Sequence, residues 1–146
     1  NNFNLYFQEL FGGGRAKLEL LGEQILDSGF QVAAQPPGKK NTTIINLSGG
    51  EKALTGIALV FALFKLNPAP FCFMDEVDAP LSDENVDKFC SIVKSMSEAT
   101  QIILVTHQKP TMEITDQLIG VTSAEKGVSR IVEVNLQDVD KEEVTN

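Results

Sequence analysis

Asp75 and Glu76 are adjacent carboxylates placed directly after the apolar run Phe71-Cys72-Phe73-Met74. Two acids at the end of a buried strand are costly unless they bind something. Ligands of open α/β sheets gather at the C-terminal ends of the strands. There one carboxylate can hold Mg²⁺ through water while its neighbour polarises an attacking water. A helix cap or a turn is the plainer use of the same pair. His107, the only histidine, follows Val105-Thr106 at the end of the next apolar run and so reaches the same sheet edge. Asp78 stands two residues past Glu76 and just before Pro80, where a turn former would also serve.

Ser48-Gly49-Gly50-Glu51 is the second constellation. Ser-x-x-Glu is a capping box that starts a helix. The same physics suits an anion: the serine caps, the glycines allow close backbone approach, and free N–H groups with the helix dipole favour phosphate. What is missing matters equally. A phosphate-binding loop needs Gly-x-x-x-x-Gly-Lys followed by Ser or Thr. Gly38-Lys39-Lys40 lacks both the upstream glycine (position 33 is Ala) and the hydroxyl residue, and Gly12-Gly13-Gly14-Arg15 follows a helical pattern rather than a strand.

The elements that must carry these groups alternate. A helix over residues 1–11 stops at the three glycines. The run Asn4-Leu5-Tyr6-Phe7-Gln8 also resembles part of a protease-cleavage tag, but its continuity with the helical pattern favours native sequence. Strands are expected at 17–21 and 30–34, and a polar Pro-Gly loop at 35–43. A helix over 49–66 places Leu54, Ile57, Ala58, Phe61 and Phe64 on one face. It is broken by Asn67-Pro68-Ala69-Pro70. Residues 71–75 are expected as a strand buried on both faces, and residues 101–105 as a second buried strand. Between them lies a helix near 82–97 with Ser82 as its N-cap. A short helix at 109–115 and closing strands at 118–122 and 131–136 follow. The fold class is therefore α/β, a parallel-strand core with helices, to which an antiparallel hairpin and closing strands are added.

A chain of 146 residues, 42% hydrophobic, suits one domain with a filled core. Its net charge of -8 opposes nucleic-acid binding by the surface as a whole. Lys39, Lys40 and Lys52 are the tightest basic group, too few for a convincing footprint. Cys72 and Cys90 lie in apolar runs and read as buried reduced thiols. No signal peptide is visible, and the apolar run 57–64 is far shorter than the ~20 residues of a membrane span. Together these predict a cytoplasmic protein.

Taken in order, Leu47-Ser48-Gly49-Gly50-Glu51-Lys52-Ala53-Leu54, Asn67-Pro68-Ala69-Pro70-Phe71, Met74-Asp75-Glu76-Val77-Asp78-Ala79-Pro80-Leu81 and Thr106-His107 resemble the C-terminal lobe of an SMC-type ATPase head. SMC heads belong to the ABC (P-loop) ATPase superfamily, and the likeness is to the bacterial chromosome-condensation proteins. It covers nearly the whole chain. It implies a division into 1–14 (end of a returning coiled-coil helix and glycine stop), 15–136 (C-terminal lobe of the head) and 137–146 (acidic tail). It implies ATP and Mg²⁺ as ligands. Ser48, Gly49, Gly50 and Glu51 would belong to the signature motif, which touches the γ-phosphate of ATP on the opposite head. Asp75 would act on the metal, and Glu76 would be the general base or water-orienting carboxylate. Asp78 would lie in the loop that crosses the head dimer, and His107 would be the switch histidine. The implied partners are the N-terminal lobe of the same protein, a second head, a kleisin subunit, and DNA through the full complex at the nucleoid, with no membrane. Without a phosphate-binding loop the chain alone should be inactive. The alternatives are an SMC-like DNA-repair ATPase, a transporter nucleotide-binding subunit, and a kleisin-docking module with no chemistry of its own.

Overall fold

A computed structural model of the chain describes residues 2–23, 27–40, 42–125 and 127–135. The expected acidic tail, 137–146, and Leu136 of the last expected strand lie outside these residues.

Helix α1 (Asn2–Phe11) buries Phe3, Phe7 and Leu10. Phe7 is fully buried, and Tyr6 meets Phe61 edge-on at 5.9 Å, so the segment is built into the core. The helix ends in a Schellman turn, with the Gly13 N–H donating to Gln8 O at 2.9 Å and Gly12 at φ 70°. Gly14 (φ 83°) then passes so close to β2 that a Cβ would lie 2.3 Å from Gln35 O. Only glycine fits there.

Strands β1 (Arg15–Leu20) and β2 (Phe30–Gln35) pair antiparallel, and β3 (Thr42–Thr43) adds a third strand to β2. The expected loop over 35–43 thus folds back on the hairpin. A 3-10 turn (Ile44–Asn46) leads into α2 (Gly49–Leu66). On α2, Leu54, Ile57, Ala58 and Phe61 are buried, while Phe64 is only partly so.

Strand β4 (Phe71–Asp75), α3 (Asp83–Ser97) and β5 (Gln101–Val105) form a β-α-β unit whose strands pair in parallel, Phe71 with Gln101 through Asp75 with Val105. Cys72 and Met74 face inward with Ile102 and Leu104 beside them, and α3 contributes Val86, Phe89, Cys90, Ile92 and Val93 to the same core. Phe61 stacks on Phe89 at 5.9 Å and joins this core to α1 and α2.

The expectation that 71–75 is buried on both faces, and 101–105 buried beside it, is corrected here. Phe71 and Phe73 are 61% and 59% exposed, and Ile103 and Val105 each 44%. One face is covered by α3, and nothing among the described residues covers the other. Ser82 does occupy the N-cap of α3, but its hydroxyl makes no capping bond.

Helix α4 (Lys109–Glu113) is shorter than expected. The two closing strands are halves of one long antiparallel hairpin, β6 (Gln117–Glu125) and β7 (Val128–Asn135). It turns at Gly127, with φ 86°, and bulges between Thr122 and Glu125.

Candidate functional site

Parallel pairing brings the ends of β4 and β5 together, and with them the acids and the histidine. The ladder runs one step past the strand: the Glu76 N–H donates to Val105 O at 2.8 Å. Glu76 itself has φ 47°, the one described non-glycine residue with positive φ. A side-chain-bearing residue enters this conformation at a cost of about 1 kcal/mol, and such strain concentrates at functional sites. The result is that its carboxylate stands out from the sheet edge, with Oε1 3.9 Å from Nδ1 of His107. Both side chains are well exposed, at 62% and 65%. Asp75, the residue before, is exposed, and its carboxylate makes no hydrogen bond or ion pair among the described residues.

No set of three ligating side chains occurs among the described residues. Mg²⁺ keeps several waters and takes one or two carboxylates plus phosphate oxygens rather than an all-protein cage. A free carboxylate at a strand end, Asp75, has the donor chemistry required.

Asp78 turns its carboxylate inward. It is 1% exposed, and its Oδ2 accepts hydrogen bonds of 2.6 Å from both Thr106 Oγ1 and Thr111 Oγ1. Burying a carboxylate requires such donors. Thr111 had no signal in the sequence, because it meets Asp78 across 33 positions. Thr106 stood within the Thr-His pair, but only the fold reveals its partner.

The Ser48 group forms a separate cluster at the start of α2. Ser48 Oγ accepts from the Glu51 N–H at 3.4 Å, and Glu51 Oε2 accepts from the Ser48 N–H at 2.9 Å, completing the capping box. Glu51 Oε1 takes Lys39 Nζ at 2.7 Å. The Lys39 ammonium first, and the Ser48 N–H second, hold the Glu51 carboxyl below the usual carboxylate range. Both of its oxygens therefore serve the cap and the 36–40 loop. Lys39, which carried no role in the sequence reading, anchors that loop to α2.

The two glycines differ. A Cβ on Gly50 would lie 3.2 Å from Pro80 O, so the helix start sits against the turn that follows Glu76. A Cβ on Gly49 would meet nothing within 4 Å. Gly49 is not demanded by any neighbour among the described residues. No hydrogen bond or ion pair among the described residues links the Ser48 cluster to Asp75, Glu76 or His107. Burial raises the thiol pKa of both Cys72 and Cys90.

The RecF/RecN/SMC N terminal domain family matches residues 15–130. The Chromosome partition protein Smc of Thauera aminoaromatica is 61% identical over 136 residues, 93% of this chain and 11% of the relative. That of Delftia acidovorans is 62% identical over 136 residues, 93% of this chain and 12% of the relative. The chain thus spans only about a ninth of the curated relatives it matches. Among solved structures, an Smc head domain from Pyrococcus furiosus, with an extended coiled coil and bound to the C-terminal domain of ScpA, superposes with a TM-score of 0.91 at 40% identity. The overlap covers 99% of this chain and 37% of that one. A chain from a study of ATP-driven dimerization and DNA-stimulated activation of SMC ATPases gives a TM-score of 0.80 at 39% identity, covering 99% of this chain and 89% of that one. With motif order, fold and sequence in agreement, the chain belongs to the RecF/RecN/SMC N-terminal domain family.

Proposed function

We propose that this chain is the C-terminal lobe of the ATPase head of a bacterial chromosome-partition SMC protein, and that it contributes to two ATP sites while completing neither. The matching family is named for an N-terminal domain, but the motifs favour the C-terminal lobe. The chain carries Ser48-Gly49-Gly50 and Asp75-Glu76 and has no phosphate-binding loop. A second support is the bare apolar face of the β4–β5 pair. It adjoins a groove of about 470 Å³ between α2 and β4, lined in part by Val60, Phe64, Phe71 and Phe73. Among the described residues β4 pairs only with β5. An open, apolar strand edge calls for cover, and the strands of an N-terminal lobe would supply it.

The observation that carries the reading is the approach of Glu76 to His107 at the common end of two parallel strands. Glu76 takes or orients the proton of the attacking water, and His107 stands beside it to sense or steady the γ-phosphate. Mg²⁺, held through Asp75, supplies charge neutralisation on the phosphate oxygens when bound. At the other site, Ser48, Gly49 and Gly50 present the capped helix start to ATP on a second head. The open space around Gly49 supports an approach from outside the chain.

The same reading assigns residues 1–14 to the root of a coiled coil, 15–136 to the lobe and 137–146 to an acidic tail. Its partners are the N-terminal lobe, a second head, a kleisin and, through the full complex, DNA. Relatives seen with ScpA, and one described by ATP-driven dimerization and DNA stimulation, support these assignments. A cytoplasmic place at the nucleoid follows from the relatives' chromosome-partition role. Among the described residues no helix is long and apolar enough to cross a membrane.

In the full-length protein, Glu76→Gln is expected to abolish ATP turnover while trapping an ATP-joined dimer. Turnover at the parent rate would remove Glu76 from its role. The 146-residue chain alone should not hydrolyse ATP, and addition of the N-terminal lobe should restore activity.

A further inference from the structure

Glu76 and His107 have nothing but backbone to hold them in register. Their exposed side chains make no hydrogen bond among the described residues. Each is nevertheless one or two positions from a tightly fixed group. Asp78 follows Glu76 by two residues, and the turn between them is closed by Ala79 N–H to Glu76 O at 3.2 Å and Leu81 N–H to Asp78 O at 3.0 Å. Thr106 directly precedes His107. Its hydroxyl donates to Asp78 Oδ2 and accepts from the Gln108 N–H at 2.9 Å, so one oxygen grips the backbone just past His107. The second donor to Oδ2, Thr111, is fully buried on α4, where the Cys90 thiol of α3 approaches its hydroxyl at 3.8 Å.

The geometry points to Asp78, clamped by Thr106 and Thr111, as the positioning residue that sets Glu76 against His107. The argument is one of constraint. The left-handed backbone at Glu76 persists only if its surroundings over-determine it. On one side the ladder bond to Val105 does this, and on the other the buried Asp78 does. A carboxylate receiving two hydroxyl donors is a strong, short linkage, and it joins the β4 turn, the β5 loop and α4 at a single oxygen. In this proposal the clamp acts through the two residues it holds. It deepens the ATPase reading above and rests on it.

The test uses ATP turnover by the full-length protein. Thr111→Val keeps the shape of the side chain and removes the donor; Thr111→Ser keeps the donor. Thr106→Val breaks the clamp from the loop side, at a position only half buried, and covers the case in which Thr111→Val fails to fold. Loss of positioning is expected to lower kcat by about tenfold or more for either valine variant. KM for ATP and ATP-dependent head dimerization should be unchanged. Thr111→Ser should restore kcat. A loss confined to kcat and rescued by serine is not produced by general destabilisation. Valine variants that turn over at the parent rate would overturn the clamp, as would a serine variant as slow as the valine. Glu76→Gln, run in parallel, separates the two levels. If it abolishes turnover while the valine variants do not, only the clamp is refuted. If it hydrolyses at the parent rate, the ATPase reading falls and the clamp with it.

Discussion

Replacing Phe73 by alanine should weaken docking of the N-terminal lobe while leaving this chain's own stability nearly intact. The ring is 59% exposed on the uncovered face of β4, beside Phe71 at 61% and opposite Ile103 and Val105 on β5. A phenylalanine can bury roughly 200 Å², so covering its exposed part removes about 120 Å². At ~25 cal/mol per Å² that is worth about 3 kcal/mol. Ordering of the partner surface takes back a part of it, leaving an expected loss near 2 kcal/mol, or about 30-fold in Kd. Titration calorimetry of the chain against a separately produced N-terminal lobe measures the first quantity. Urea denaturation of the chain alone measures the second, expected to shift by less than about 1 kcal/mol. Met74, one residue on, is 6% exposed on the packed face. Met74→Ala is the opposite case and should cost about 2–5 kcal/mol in the chain alone. An unchanged Kd for Phe73→Ala would refute the docking argument. So would a loss of several kcal/mol in the isolated chain, which would mean the ring is packed within it.

Two further perturbations probe the start of α2. Gly49→Ala has room for its methyl and favours the helix, so urea denaturation should show stability unchanged or raised by up to about 1 kcal/mol. ATP-dependent dimerization and turnover of the full protein should nevertheless fall; normal activity would mean that nothing approaches Gly49 closely. The lowered Glu51 pKa means that its pairing stabilises the fold above its unfolded pKa and is lost as pH falls through the folded value. Lys39→Met should therefore lower urea stability at pH 7. Its difference from the parent should close as the pH falls below the ordinary glutamate range, and a difference that persists in acid would show that Lys39 acts through packing instead.

The chemical groups were legible because they are local. Ser48 and Glu51 cap a helix through positions three apart, and Asp75-Glu76 sit where an apolar run ends, so period and neighbour suffice to place them. The parallel β-α-β unit followed from strand, helix and strand with a crossover between. His107 could be set at the same edge from topology alone, and the structure put its Nδ1 3.9 Å from Glu76.

What the tertiary structure decided depends on who packs against whom. An apolar run such as 71–75 has the same pattern whether one face is covered or two, because the cover comes from elsewhere. Only the fold showed Phe71 and Phe73 bare. The direction of Asp78 is likewise invisible in sequence: a carboxylate before Ala79-Pro80 suits a surface turn, and it turns inward because Thr106 and Thr111, 28 and 33 positions away, bring it two hydroxyl donors. Local order named the groups whose types suit chemistry. Long-range packing determined which of them face solvent, which are buried, and what holds them in place, since burial and hydrogen-bond partners are properties of the whole chain.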